Sequence, residues 1–237
     1  MLFGRTFPRI GVARLPVGCN SPDRPTNVET VIVLHGLWLA RWTVEPLRRA
    51  LAARGYRAIA FGYASMNADL DTNARALLDF ADQSGGGSAH FVGHSLGGLV
   101  ALRALAIAGQ AITGRTVLLG SPSQGCKVVD DVLKRPGGAR IVGHSIVQWQ
   151  RGQSVEAVGH HTIGAIAGSR AIGVGSLFTR IPPPHDGCIR VEETYMPGLA
   201  DHLVMDVSHS GMLTSRKVAH QADIFLRTGR FDRNGHR

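Results

Sequence analysis

Ala89-His90-Phe91-Val92-Gly93-His94-Ser95-Leu96-Gly97-Gly98-Leu99-Val100 is the stretch on which the fold turns. Ala89 to Gly93 reads as a buried strand, and Leu96 to Ala106 as an apolar helix. Gly93-His94-Ser95-Leu96-Gly97 therefore falls at a strand-to-helix turn and matches G-x-S-x-G in the context that gives the pattern meaning. A serine on so sharp a bend has a strained backbone, and the glycines at 93 and 97 remove the Cβ atoms that would collide there. Its hydroxyl is expected at the carboxyl edge of a parallel sheet, with the positive end of the following helix aimed at any anion forming beside it. By itself the five-residue pattern also fits a serine in a glycine-rich turn without chemistry. The flanking strand and helix favour the chemical reading.

Toward the N-terminus, Thr30-Val31-Ile32-Val33-Leu34 is a continuous apolar run of the kind that forms a strand buried on both faces. A helix from Val44 to Ala53, a strand from Arg57 to Tyr63 and a helix carrying Leu70, Ala74, Leu77, Leu78 and Ala81 on one face follow. Beyond the serine, strands are expected at Arg115 to Leu119, Thr162 to Ala167 and His202 to Val207, then a helix over about Ser215 to Leu226. Repeated βα units predict a doubly wound, mostly parallel sheet with helices on both faces, in one α/β domain spanning 1–237. Only Ser121 to Gly159 breaks the alternation, and it reads as a small cap-like or lid-like insertion or, with the same amphipathic signature, as simple packing over a sheet edge. Residues 1–26 have no usable periodicity and are a candidate edge strand; 228–237 read as a frayed end.

Acyl transfer at Ser95 would need donors for a tetrahedral oxyanion, commonly backbone N–H groups from the residue after the nucleophile and from the loop after an earlier central strand. Leu96 and Leu37 occupy those positions. Trp38, next to Leu37, is a candidate wall of the substrate pocket, with a merely packed aromatic as the alternative.

With these motifs in order, the chain resembles the α/β-hydrolase superfamily, and within it the small bacterial lipases and esterases, over roughly Val28 to Phe231. The resemblance rests on the nucleophile motif at 93–97, on His35-Gly36-Leu37 as oxyanion loop, on Asp186-Gly187-Cys188-Ile189 as acid loop and on His209-Ser210-Gly211-Met212 as histidine motif. Gly120-Ser121-Pro122-Ser123-Gln124-Gly125 is similar to a turn found in lipase-like and GPI-inositol-deacylase-like members. The resemblance implies a serine hydrolase of carboxylic esters with no cofactor; relatives with a calcium site place an aspartate soon after the last histidine, where Ser210-Gly211-Met212 stands here. Acyl transfer or thioester cleavage by the same serine, and a non-catalytic binding module, are the alternatives.

The residues support the same assignment independently. Among eleven histidines, His209 follows the last expected strand and so shares the sheet edge of Ser95, whereas His90, His160, His161 and His202 lie in or before strands and His94 points away from a sharp turn. Asp186 follows the penultimate strand, and Gly187 permits the reversal that aims its carboxylate at His209. Asp130, Asp131, Asp201 and Asp206 are rivals. The catalytic candidates are thus Ser95, Asp186 and His209.

A hydrophobic share of 44% against 18% charged excludes a wholly disordered chain. The net charge of +9 comes from scattered arginines; a solvated surface is one reading, and contact with anionic lipid or nucleic acid the other, without a nucleic-acid motif to support the latter. Cys19, Cys126 and Cys188 lack zinc or disulfide spacing, and no H-E-x-x-H, P-loop, EF-hand or G-x-G-x-x-G motif occurs. No metal site, nucleic-acid partner or membrane span is expected. Arg5, Arg9 and Arg14 interrupt what a secretory signal would need, so a cytoplasmic location is expected. The expected partner is a small acyl ester or lipid, with chain length and oligomeric state unread.

Overall fold

Val31 and Val33 point to one side of the first strand and Ile32 and Leu34 to the other, and all four are fully buried, because side chains alternate across a sheet that is covered on both faces. This strand, β1 (Thr30–Leu34), lies between β2 (Arg57–Phe61) and β3 (His90–His94). The computed structural model describes residues 28–152 and 159–233. Its six strands, completed by β4 (Thr116–Leu119), β5 (Ile163–Gly168) and β6 (Asp201–Met205), are ordered β2-β1-β3-β4-β5-β6, and every neighbouring pair is parallel.

Parallel neighbours cannot be joined by tight turns, so helices make the crossovers. Helices α1 (Glu45–Ala52) and α6 (Arg216–Thr228) pack Leu47, Leu51, Val218 and Phe225 against the face bearing Val31 and Val33. On the opposite face, α2 (Leu70–Gly85) and α3 (Leu96–Ala108) pack Leu77, Leu99 and Leu102 against Ile32 and Leu34. The architecture is the doubly wound sheet of an α/β-hydrolase fold. None of the helices among the described residues is long and apolar enough to cross a membrane.

Between β4 and β5 lie α4 (Lys127–Leu133) and α5 (Gly138–Gln150). The helix α5 is interrupted at Gly143 (φ 75°, ψ 170°), where a side chain would press to 2.9 Å from Met66 Cα. Two contacts bind α5 to the start of α2: Gln148 Oε1 accepts from the Leu70 N–H at 2.5 Å and the Asp71 N–H at 3.1 Å. These are two of the helix-terminal donors that otherwise lack partners.

Two boundaries differ from expectation for local reasons. β2 ends at Phe61 rather than Tyr63, because Tyr63 leaves the sheet to donate its hydroxyl to the His35 carbonyl at 2.6 Å. β6 ends at Met205, where the Val207 N–H folds back onto the Met205 carbonyl at 2.8 Å. The expectation of a frayed end from 228 is corrected as far as 233. Thr228 closes α6 and Gly229 caps it in the left-handed region. Phe231 is then buried against Phe225, and Arg233 pairs with Asp201. The candidate edge strand at 1–26 and residues 234–237 lie outside the described residues.

Candidate active site

β3 runs straight into α3 through Ser95, whose backbone is at φ 55° and ψ −122°. A positive φ is strained for a residue with a side chain, at about 1–3 kcal/mol, and the surroundings hold it. The Ser95 N–H donates to the Leu119 carbonyl at 2.9 Å, and its carbonyl accepts from the Gly98 N–H at 3.0 Å. The flanking glycines are required by close approach: a methyl at Gly93 would lie 2.6 Å from the Gly97 carbonyl oxygen, and one at Gly97 2.5 Å from that of His35. The turn therefore lifts a half-buried Ser95 to the carboxyl edge of the sheet. As a first-turn residue of α3, Leu96 keeps its N–H without an intrahelical acceptor. The Leu37 N–H likewise has no backbone acceptor among the described residues.

Two loops at the same edge bring an acid and an imidazole together. Asp186, after β5, is fully buried, and its Oδ1 accepts from the backbone N–H groups of Cys188 (2.9 Å) and Ile189 (2.7 Å). Its Oδ2 accepts from His209 Nδ1 at 2.7 Å, and the Asp186 carbonyl accepts from the His209 N–H at 2.9 Å. Burial works against the Asp186 carboxylate, but the facing imidazole and these donors outweigh it and hold the carboxyl below its ordinary range. Because a carboxylate only accepts, the proton sits on His209 Nδ1 and the lone pair on Nε2.

His94 is also buried, and its Nε2 lies 2.9 Å from the His209 carbonyl. Burial, then the neighbouring His209, pushes its pKa down to about 3, so the ring is neutral. His35 stacks on Tyr63 with ring centroids 4.3 Å apart and donates from Nδ1 to the Gly36 carbonyl. Burial lowers its pKa too, against the opposing effect of that bond.

Ser95, Leu96, Leu37, Trp38 and His209 all line one cavity of about 250 Å³, with Asp186 directly behind His209. Its remaining walls are almost wholly apolar. Val128, Val129 and Val132 of α4 and Ile141, Val142 and Ile146 of α5 supply one side. Val174 and Phe178, from the segment after β5, supply another that sequence reasoning missed. The only trace of that segment in the sequence is the close spacing of Gly173 and Gly175, which lie against Gly187 and Cys188. Trp38 is at the mouth: its Nε1–H donates to the Ile141 carbonyl at 2.8 Å, and its ring lies 6.2 Å from that of Phe178. Cys126 and Cys188 also line the cavity, and burial pushes their thiols up to about 12 and about 11, leaving both protonated at neutral pH.

The rival residues are engaged elsewhere. Asp131 binds Lys127, Lys134 and Thr179, Asp206 pairs with Arg170, and Asp201 with Arg233. Asp130 accepts from Gln150. His202 meets Thr194 and His90 faces Glu29. No group of three or more histidine, cysteine, aspartate or glutamate side chains placed to hold a metal ion occurs among the described residues.

Residues 31–171, more than half of the chain, match the model of the Alpha/beta hydrolase family. The chain belongs to the alpha/beta hydrolase family. The fold of this alpha/beta hydrolase is similar to that of the mature Bacillus licheniformis lipase BlEst2, with a TM-score of 0.67 and 16% identity over 90% of this chain and 95% of the other. It is also similar to that of the phospholipase PlaB from Legionella pneumophila, with a TM-score of 0.60 and 15% identity over 84% and 56% of the two chains. A curated relative, 2-hydroxy-6-oxononadienedioate/2-hydroxy-6-oxononatrienedioate hydrolase 1 of Dechloromonas aromatica, is 29% identical over 157 residues, 55% of this chain. The match spans about half, 53%, of that relative's length.

Proposed function

We propose that this alpha/beta hydrolase cleaves carboxylic esters through an acyl-enzyme on Ser95. The hydrogen bond from His209 Nδ1 to the buried Asp186 carboxylate behind it, with His209 and the strained turn at Ser95 lining one cavity, carries this reading. It leaves His209 Nε2 as the free base. Ser95 Oγ attacks the ester carbonyl while its proton passes to Nε2, and Asp186 stabilises the imidazolium. The Leu37 and Leu96 N–H groups receive the oxyanion. His209 then returns the proton to the departing alcohol, and water repeats the sequence on the acyl-enzyme. The insertion at 121–159 acts as a cap, since α4 and α5 supply apolar walls to the cavity.

The curated relative favours a second reading, hydrolysis of a carbon–carbon bond in a dicarboxylate. Against it, no lysine or arginine among the described residues lines this cavity, so a second carboxylate would be desolvated without a partner there. Acyl transfer and thioester cleavage would use the same serine.

Labelling with a fluorophosphonate probe tests the nucleophile: the wild-type chain should be labelled and Ser95→Ala should not. Persistent labelling of the variant would overturn the assignment. Neutral p-nitrophenyl esters, with and without an alcohol acceptor, then separate hydrolysis from transfer, and a dienedioate substrate turned over in preference to them would favour the second reading.

A further inference from the structure

We propose that the cavity mouth docks on a lipid bilayer bearing anionic headgroups. Five of the eight large hydrophobic side chains exposed among the described residues belong to the two loops around that mouth. Trp38 (48% exposed) and Trp42 (74%) stand on the loop after β1. Ile172 (67%), Val174 (52%) and Leu177 (79%) stand on the segment after β5. Trp38 and Val174 also line the cavity, so the exposed apolar surface is continuous with the apolar interior. A monomer in water rarely keeps such a concentration of apolar side chains at one place without a partner.

Charge selects the partner. Arg41 lies between the two tryptophans in sequence, Arg140 precedes Ile141, whose carbonyl holds Trp38, and Arg180 follows Phe178 by two residues. Arg135 donates to the Phe178 carbonyl. All four are exposed, and none forms a salt bridge with a carboxylate among the described residues. Of the two carboxylates of α4, Asp131 is held by Lys127, Lys134 and Thr179, and Asp130 accepts from Gln150. Exposed apolar side chains with arginines in or beside the same segments match the boundary between acyl chains and anionic headgroups: tryptophan favours that depth, and arginine reaches from it to phosphate. A lipid entering from the bilayer would reach the cavity past the exposed Trp38 and Val174 side chains that line it, without crossing water. That last step rests on the ester-hydrolase reading, whereas the docking does not.

The test is co-sedimentation of the full chain, carrying Ser95→Ala to prevent turnover, with phosphatidylcholine vesicles and with vesicles that also contain phosphatidylglycerol. Binding is expected only with phosphatidylglycerol, weakening as salt rises. Arg140→Ala should weaken it about fivefold, and Leu177→Asp roughly tenfold or more. In the wild-type background both variants should keep their melting temperature and the hydrolysis of a short, water-soluble ester. Arg140→Ala keeps the test open should Leu177→Asp disturb its loop. No vesicle binding, equal binding to both vesicles, or binding unchanged in both variants would overturn the proposal, as would a dimer that Leu177→Asp dissociates in a chain that ignores vesicles. Vesicle binding by a chain whose Ser95 resists the fluorophosphonate would uphold the docking while overturning the ester-hydrolase reading.

Discussion

His94 Nε2 donates a hydrogen bond to the backbone carbonyl of His209 across 2.9 Å, joining two residues 115 apart in sequence. The carbonyl only accepts, so Nε2 holds the proton; Nδ1, buried and without a partner among the described residues, lies where a methyl on Gly36 would come within 3.0 Å of it. The residue before Ser95 thus braces the loop of His209 against the loop after β1. His94→Phe keeps the ring but removes this hydrogen bond, at a cost of about 1 kcal/mol. Steady-state kinetics should show a fall in kcat with little change in KM, because the loss lies in alignment.

The same residue sets a pH dependence. Folded, His94 titrates near 3; unfolded, near its ordinary 6.5. The unfolded chain therefore binds the extra proton first as pH falls, and stability present above 6.5 is lost progressively toward 3. His94→Gln removes this titration while retaining a donor. Denaturant unfolding should show the wild type losing about 2 kcal/mol more than the variant between neutrality and about pH 5. Equal losses would mean that the imidazole is not held neutral.

Asp186→Asn separates the structural from the chemical use of the carboxylate. The amide oxygen still accepts from Cys188 and Ile189, so the loop and the melting temperature should be preserved. Its NH₂ group then faces His209 Nδ1 and forces the proton onto Nε2, removing the base. A loss in kcat of about 10⁴ is expected, with the fluorophosphonate reaction slowed to a similar degree. A loss smaller than about tenfold would shift the acid role to another residue.

Gly120, at the end of β4, has φ 56°, and a methyl there would lie 3.0 Å from Asp186 Oδ2 and 3.1 Å from His209 Nδ1. Gly120→Ala therefore strains the backbone and presses on the Asp186–His209 pair at once, with about 1–3 kcal/mol expected for the backbone alone. Thermal unfolding and kcat should both fall. A stable variant that loses kcat would locate the damage in the pair.

What the sequence disclosed tracks how local each signal is. Strand, elbow and helix around Ser95 sit within a dozen residues and are legible from hydrophobic pattern and two glycines. Asp186 and His209 were legible through their positions after β5 and β6, because strand order puts both loops at one edge. Phe178 and Val174 were not, since their place depends on Gly173 and Gly175 fitting against Gly187 and Cys188, a contact no periodicity encodes. The packed end at Phe231 was missed likewise: its partners, Phe225 and the Asp201 carboxylate that accepts its N–H, are visible only once β6 and α6 are folded together.

On the proposed ester cleavage, the cavity limits the acyl group. A dry cavity of about 150 Å³ accommodates benzene, so one of about 250 Å³ holds an acyl group of roughly ten non-hydrogen atoms. With p-nitrophenyl esters of increasing length, kcat/KM should rise as each buried CH₂ adds about 0.8 kcal/mol at most, and then fall beyond roughly eight to ten carbons. Val132 lies on α4 and lines the cavity. Val132→Trp should therefore move the optimum to shorter chains, because the larger side chain takes up cavity volume that a long acyl group would fill. An unchanged chain-length profile would place the acyl group outside this cavity, and a uniform loss across all lengths would mean that α4 supports the reacting residues and does not select the chain.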